Sequence, residues 1–529
     1  MFSEDHLLRN LAALEQAQGH RPALAPPDPA ATRASDAGGT LQIDVRTAAG
    51  GWVPLWNGDP DAEARLQLAA TAGAAHVFLI GGGIGHLLDA VEETGSRANV
   101  LILEPDPAIA AWLLARRDWQ AWLRSGRLRL LVGPDYVGAS DVARHVRGTP
   151  AILVNDVCAA HRAQAVARAS AVADRIQAEA AANADARRRF AGRYLLQSLQ
   201  NLPVIEREAD VAALDRAFVG RPAVIAAAGP SLDLTLATLA EYQDRVVVVA
   251  VDTALRPLLA AGVRPHLVVA VDPNELNAQH LAGVADAEGV WFAAEGSLHP
   301  SVFGSFGGRT FIFKVSDHQP WPWLARAGVA RGALRAWGSV VTSALDLTLR
   351  MGCNPIVFVG HDCAYTGGRP YCDNTTFHDT WRAYLMETFG EVTPERIREQ
   401  EGYMLLGRSL VAATDINGDR VQTTGPLVAF RDWIVEQTTV TRDRTFINAT
   451  GAGLLDGPRI TQMPLHAVLR AHAGEPFDAR AVLAERHAQT RGEAGVLANR
   501  VPSRDDLSVW MDFTAGAVDR DAILAALRR

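Results

Sequence analysis

Three apolar runs in this sequence end on an aspartate: VVVVAVD at Asp252, LVVAVD at Asp272 and IVFVGHD at Asp362. A fourth, AVIAAAGPSLD, breaks instead at Gly229-Pro230-Ser231. A carboxylate at such a tip can take a proton or hold a ribose hydroxyl. A Gly-Pro-Ser turn that opens a helix leaves backbone N–H groups aimed at an anion. Together the tips suit a phosphorylated ligand. Each also has a structural explanation, because Asp is a common helix cap and a capped turn fits any α/β protein.

The flanking residues indicate what positions these tips. Ala223 to Ala228 reads as a fully buried parallel strand, and Leu232, Leu236 and Leu239 then recur at helical spacing. RVVVVAVDTALRPLLAAGVRPHLVVAVDP reads as strand, helix, strand, hence parallel. A helix from about Val340 to Met351 and a strand Ile356 to Val359 follow, the latter ending at His361-Asp362. In an open parallel sheet ligands bind at the carboxyl ends of strands, so Gly229 to Ser231, Asp252 and Asp272 should line one crevice.

Nearer the N-terminus, HVFLIGGGIGHLLDAVEE and NVLILEPDP predict a second parallel unit, with Glu104 23 residues after Gly81. That layout resembles the first two motifs of S-adenosylmethionine-dependent methyltransferases, but Leu79 stands where their acid would precede the first glycine. The favoured reading is a structural Rossmann-like domain. The four prolines of His20 to Thr40 predict a loop after a short N-terminal helix, and Ala159 to Ala191, free of Gly and Pro, predicts a long connecting helix. The expected organisation is an N-terminal helix and Pro-rich loop (1–55), a Rossmann-like domain (56–158), a connecting helix (159–201), a catalytic domain (202–460) and a helical C-terminal region (461–529). The fold class is α/β, with two Rossmann-like parallel-sheet domains joined by a long helix.

Composition narrows the function. The chain has 529 residues, 48% of them hydrophobic, and a formal net charge of −8, which argues against nucleic acid as a partner. No apolar run is long enough to span a membrane, and MFSEDHLLRN is too polar to begin a secretory signal, so a cytoplasmic location is expected. The four cysteines, at 158, 353, 363 and 372, form no disulfide framework. The single lysine, Lys314, lies in TFIFKVSD, so no GxxxxGK[ST] loop exists. Any phosphate must be held by backbone N–H groups, hydroxyls or arginine.

AAGPSLD, VAVDTALRPLLAAGVRPHLVVAVDP, WGSVVTSALDLTLRMGCNPIVFVGHDCAYTGG and VQTTGPLVAFRDWI resemble the core of the motility accessory factors, over about Arg193 to Ala452. That family implies a glycosyltransferase that moves a nonulosonic acid, pseudaminic- or legionaminic-type, from a CMP-activated donor to Ser or Thr of flagellin. It shares a domain with 6-hydroxymethylpterin diphosphokinase-like proteins, which leaves an ATP-dependent diphosphokinase as an alternative; a non-catalytic flagellin-binding assembly factor is another. This sequence departs from the family pattern at His361, where a Gln is expected, and in NATGAG (448–453), which lacks an acid.

The resemblance implies roles. Gly229, Pro230, Ser231, Thr342 and Ser343 would bind the donor phosphate with no cofactor, and Asp252 its ribose or base, while Asp272 would do either that or serve as a general base. Asp362 would be the general base, with His361 the other candidate. Tyr365 would line the acceptor groove, and Tyr371 and Trp381 either line it or pack. His361, Cys363, Cys372 and His378 could ligate zinc, but the C-x8-C spacing misses the usual pattern and no metal is expected. VAATDINGDRVQTT reads as a hairpin turning at Asn417-Gly418, and GPLVAFRDWIVEQ as an amphipathic helix.

Overall fold

The computed structural model describes residues 2–528 except 38, 48, 72, 285–288, 493, 494, 498 and 499. It forms two compact units, Met1–Arg187 and Arg188–Arg529. The Ala-rich stretch forms one helix, Ala163–Gln200, which runs across that boundary.

The first unit is built on a four-stranded parallel sheet, in the order Leu128–Val132, Asn99–Glu104, His76–Ile80, Ala151–Val154. The N-terminal segment contributes to its core, because Leu11, Leu14, Ile43, Val45 and Leu55 pack in one cluster with the strands. The Pro-rich stretch is not all loop. Thr32–Ala37 pairs antiparallel with Thr40–Arg46, while position 38 lies outside the described residues. The strand has no apolar alternation to announce it. It is held through Asp44, which accepts from Arg33 Nε (3.0 Å) and Ser35 Oγ (2.6 Å).

The second unit is a nine-stranded, all-parallel sheet in the order Ile460–Gln462, Phe446–Asn448, Ile356–Val359, Ala223–Ala226, Val247–Val251, Leu267–Ala270, Trp291–Glu295, Thr310–Phe313, Ala209–Asp210. Val247–Val251 is buried throughout, as expected of a strand covered on both faces. From Ala223–Ala226 the chain steps outward to Thr310–Phe313, then returns to lay Ile356–Val359 on the other side of its starting strand. The order therefore reverses between Ala223–Ala226 and Ile356–Val359, and a crevice opens at such a point beyond the strands' carboxyl ends.

The C-terminal residues are part of this unit. Ile460–Gln462 is the edge strand of the sheet, and Trp510 and Ile523 are fully buried in one cluster with Phe292. Removing such a side chain from water contributes about 1.5–3 kcal/mol. Between the strands Ile356–Val359 and Phe446–Asn448 lies an insertion of two helices, Thr376–Phe389 and Pro394–Leu405, and the hairpin Leu410–Thr414/Arg420–Thr424. Arg369 ties it to the sheet by bonding Asp233 (3.1 Å), Asp373 (2.6 Å) and Glu401 (3.1 Å). Among the described residues no helix is long and apolar enough to cross a membrane.

Candidate functional site

At the reversal point of the large sheet lies a cavity of about 740 Å³. Its wall is drawn from Ala227–Gly229, Asp252 and Thr253, Ser339–Val341, Gly360–Tyr365, Tyr371, Arg408 and Thr424–Leu427. Apart from Tyr371 and Arg408, each segment follows a strand or opens a helix, so regular elements set the position of most of the polar tips.

Asp362 ties the turn together. Its Oδ2 accepts from Ser231 Oγ at 2.7 Å, and both carboxylate oxygens lie 3.3 Å from Ser231 N. Burial raises its pKa, opposed by the donors of Thr366 and Ser231. Gly229 has φ −65°, an ordinary value, and is glycine for want of space. A Cβ there would lie 2.5 Å from Gly360 O and 2.9 Å from Asp362 Cγ. Gly453, at φ +81°, is equally confined, with its Cβ position 2.5 Å from Asp362 Cα. Cys363 takes the left-handed φ of 50°, costing a non-glycine residue about 1 kcal/mol, and such strain gathers at functional turns.

This packing corrects the expected phosphate cradle. Gly229 N–H donates to Gly360 O (2.9 Å), Ser231 N–H to Asp362, and Leu232 N–H to Gly229 O (3.0 Å); Pro230 has no N–H. The anion at this turn is the protein's own carboxylate. The helix expected after it begins as a 3-10 turn, Pro230–Leu234, and becomes α-helical only at Leu236–Tyr242.

Thr342 and Ser343 also fall elsewhere. Thr342 Oγ1 accepts from Trp337 N (2.7 Å) and donates to Ser339 O, and Ser343 Oγ donates to Arg335 O (3.0 Å). Both are fully buried and hold the 335–339 loop, outside the cavity wall. Each residue turns the helix by about 100°, so the first residues of Val340–Arg350 face the cavity and the next two face away. Ser339, Val340 and Val341 bring the uncapped N-terminus of that helix to the wall.

Asp252 is buried in the wall, where Oδ1 accepts from Thr253 N (2.7 Å) and Thr253 Oγ1 (3.2 Å). Burial pushes its pKa up to about 7. Asp272 lies outside the wall and accepts from Asn274 N at 2.8 Å, so the three aspartate tips do not meet in one crevice. His361 is in the wall. Its Nδ1–H donates to Val359 O (2.9 Å), which leaves Nε2 an unprotonated acceptor with no partner among the described residues. Burial lowers its pKa to about 4, so the ring is neutral at physiological pH.

Tyr365 and Tyr371 line the cavity, whereas Trp381 is set back, stacked on Phe377 with centroids 6.2 Å apart. The four zinc candidates do not converge. Among the described residues the grouping that could hold a metal ion is Asp61, His86 and Asp89 in the first unit, where Asp89 is already paired with Arg116 and Arg117. Sequence reasoning missed Arg408, the cationic side chain of the cavity wall, which donates to Tyr365 OH at 3.2 Å. It sits on the insertion, and no motif marks it.

At the corresponding point of the first unit, the glycines lie against the protein's own side chains. At the reversal between His76–Ile80 and Ala151–Val154, a Cβ on Gly81 would lie 2.7 Å from Cys158 Sγ, and one on Gly83 2.9 Å from Trp56 Nε1. The glycines make room for the protein's own side chains. Glu104 is buried there, and burial pushes its pKa up to about 8, so it is a protonated structural acid at neutral pH.

Part of the chain that carries the cavity resembles a known family model. Residues 196–368 match the model described as 6-hydroxymethylpterin diphosphokinase MptE-like. The MptE-like residues supply most of the wall, and the insertion carrying Arg408 lies beyond them. A solved structure, the MAf glycosyltransferase from Magnetospirillum magneticum AMB-1, is similar at 15% identity over 98% of this chain and 81% of that chain, with a TM-score of 0.42. No curated protein matches the chain.

Proposed function

We propose that the cavity binds a CMP-activated nonulosonic acid and that the protein transfers the sugar to a Ser or Thr hydroxyl of flagellin. The observation that carries this reading is convergence. The separate stretches on which the resemblance to motility accessory factors rests, around Gly229, Asp252, Ser339, His361–Tyr365 and Thr424–Leu427, all contribute to one wall. Its volume suits a nucleotide sugar.

The bond between the sugar and the phosphate oxygen breaks and CMP departs, so charge must be stabilised on its phosphate. The uncapped helix N-terminus at Ser339–Val341 and the Arg408 guanidinium supply this, in place of the turn at Gly229. Asp252 takes the acceptor hydroxyl's proton. Its pKa of about 7 suits a general base working near neutrality, and among the described residues nothing bonds its second oxygen. Asp362 shapes the turn, and His361, with its pKa of about 4, is too weak a base for the task.

The test is transfer from a CMP-activated nonulosonic acid to purified flagellin, read as added mass. Wild type should be active, with kcat/KM rising as pH passes about 7, because Asp252 must be ionised to accept the proton. Asp252→Asn should lose about 10²–10⁴ of the rate. No transfer by wild type, or full turnover by Asp252→Asn, contradicts the reading. The MptE-like match favours a second reading, an ATP-dependent diphosphokinase at the same cavity.

A further inference from the structure

The first unit has a cavity of its own, of about 210 Å³. His76 and Asn99 begin two strands and Arg129 sits near the start of a third, so these three wall residues mark the amino edge. His145, Ser125 and Gly126 complete its polar side.

The wall holds a cation without a direct ion-pair partner among the described residues. Among the described residues no carboxylate or carbonyl accepts from the Arg129 guanidinium, although burial lowers its pKa and Asp141 acts on it only through space. Asp141 has its own partner, Arg144, at 3.7 Å. Arg129 is partly buried, a charge drawn part-way out of water with no direct counter-ion is costly, and an anion in the cavity would offset that cost. His76 adds a donor. Its Nε2 accepts from Arg147 N at 3.0 Å, so the ring proton is on Nδ1, which no described group accepts. Arg129, Arg144 and Arg147 together make the region positive enough to depress His145, after burial, to about 4.

We propose that this cavity is an anion site that takes a phosphate or pyrophosphate group, free or carried on a small molecule, with Arg129 as its main ligand and His76 Nδ1–H and the Asn99 amide beside it. The volume is below the ~300 Å³ typical of a site for a whole drug-sized ligand, which limits it to a phosphoryl group with little attached. The site is separate from the donor cavity of the second unit.

The experiment is calorimetric titration of the full-length protein, at low salt, with inorganic phosphate, pyrophosphate and glycerol 3-phosphate. One saturable site is expected for at least one of them; tighter binding of glycerol 3-phosphate than of phosphate would identify a phosphorylated small molecule as the source, and the reverse a free ion. Arg129→Met keeps the stem and removes the charge. It should weaken binding at least tenfold while the unliganded protein melts no lower than wild type. Asn99→Ala, which removes no side-chain bond seen among the described residues, should weaken it severalfold, and Arg408→Gln should leave this site intact. No saturable binding of any of the three anions overturns the proposal. So does binding that survives both Arg129→Met and Asn99→Ala, or that is lost in Arg408→Gln instead.

Discussion

Glu104→Gln should stabilise the first unit, and far more at pH 8 than at pH 5. The Glu104 carboxyl is 1% exposed, one oxygen accepts from Asp106 N at 3.1 Å, and the other has no partner among the described residues. Its pKa of about 8 in the fold compares with 4.5 for an ordinary glutamate. Between those two values the unfolded chain has released the proton and the folded chain still holds it, so stability falls as pH rises. At roughly 1.4 kcal/mol per pH unit, the loss is about 1 kcal/mol at pH 5 and about 4 kcal/mol at pH 8. Glutamine is nearly isosteric and cannot ionise, so the variant should escape the difference, about 3 kcal/mol. Amide hydrogen exchange of peptides spanning Asn99–Glu104, corrected for intrinsic rates, reads this locally. Protection should rise on the order of a hundredfold more at pH 8 than at pH 5. An equal effect at both pH values, or a variant less protected at pH 8, would show that Glu104 is ionised in the fold and free to serve a ligand.

Gly229→Ala should destabilise the second unit by about 1–3 kcal/mol, because the new Cβ meets Gly360 O and the Asp362 carboxylate; an unchanged denaturation midpoint would contradict the packing. Asp362→Asn should lower stability by about 1–3 kcal/mol and weaken donor binding with it, since the carboxylate organises Ser231 and the turn. Thermal melts beside the transfer assay decide this, and a variant of wild-type stability and donor affinity that has lost only turnover would return the base role to Asp362.

Much of the fold is legible because its signals are local. Val246 to Val251 and Ile356 to Val359 are short apolar runs bounded by turns, and the helix from Val340 is announced by spacing alone. The edge strand Thr32–Ala37 is not legible, since it depends on its partner and on Asp44. The site is legible as a set of strand ends but not as a set of roles. Whether a turn's N–H groups are free is decided by a residue 131 positions away, Asp362 at Ser231. Whether a side chain at a helix start faces the cavity depends on one step of rotation, which separates Val341 in the wall from Thr342 outside it. Arg408 reaches the wall only through the fold of the insertion.

The central claim is that the cavity at the sheet's reversal point is a CMP-sugar donor site, and titration calorimetry with CMP and with ATP plus magnesium tests it most directly. The account predicts one saturable CMP site, weakened at least tenfold in Arg408→Gln, and no comparable binding of ATP. Saturable ATP binding without CMP binding would contradict it in favour of a diphosphokinase, and a protein that binds neither would have no nucleotide donor at this cavity.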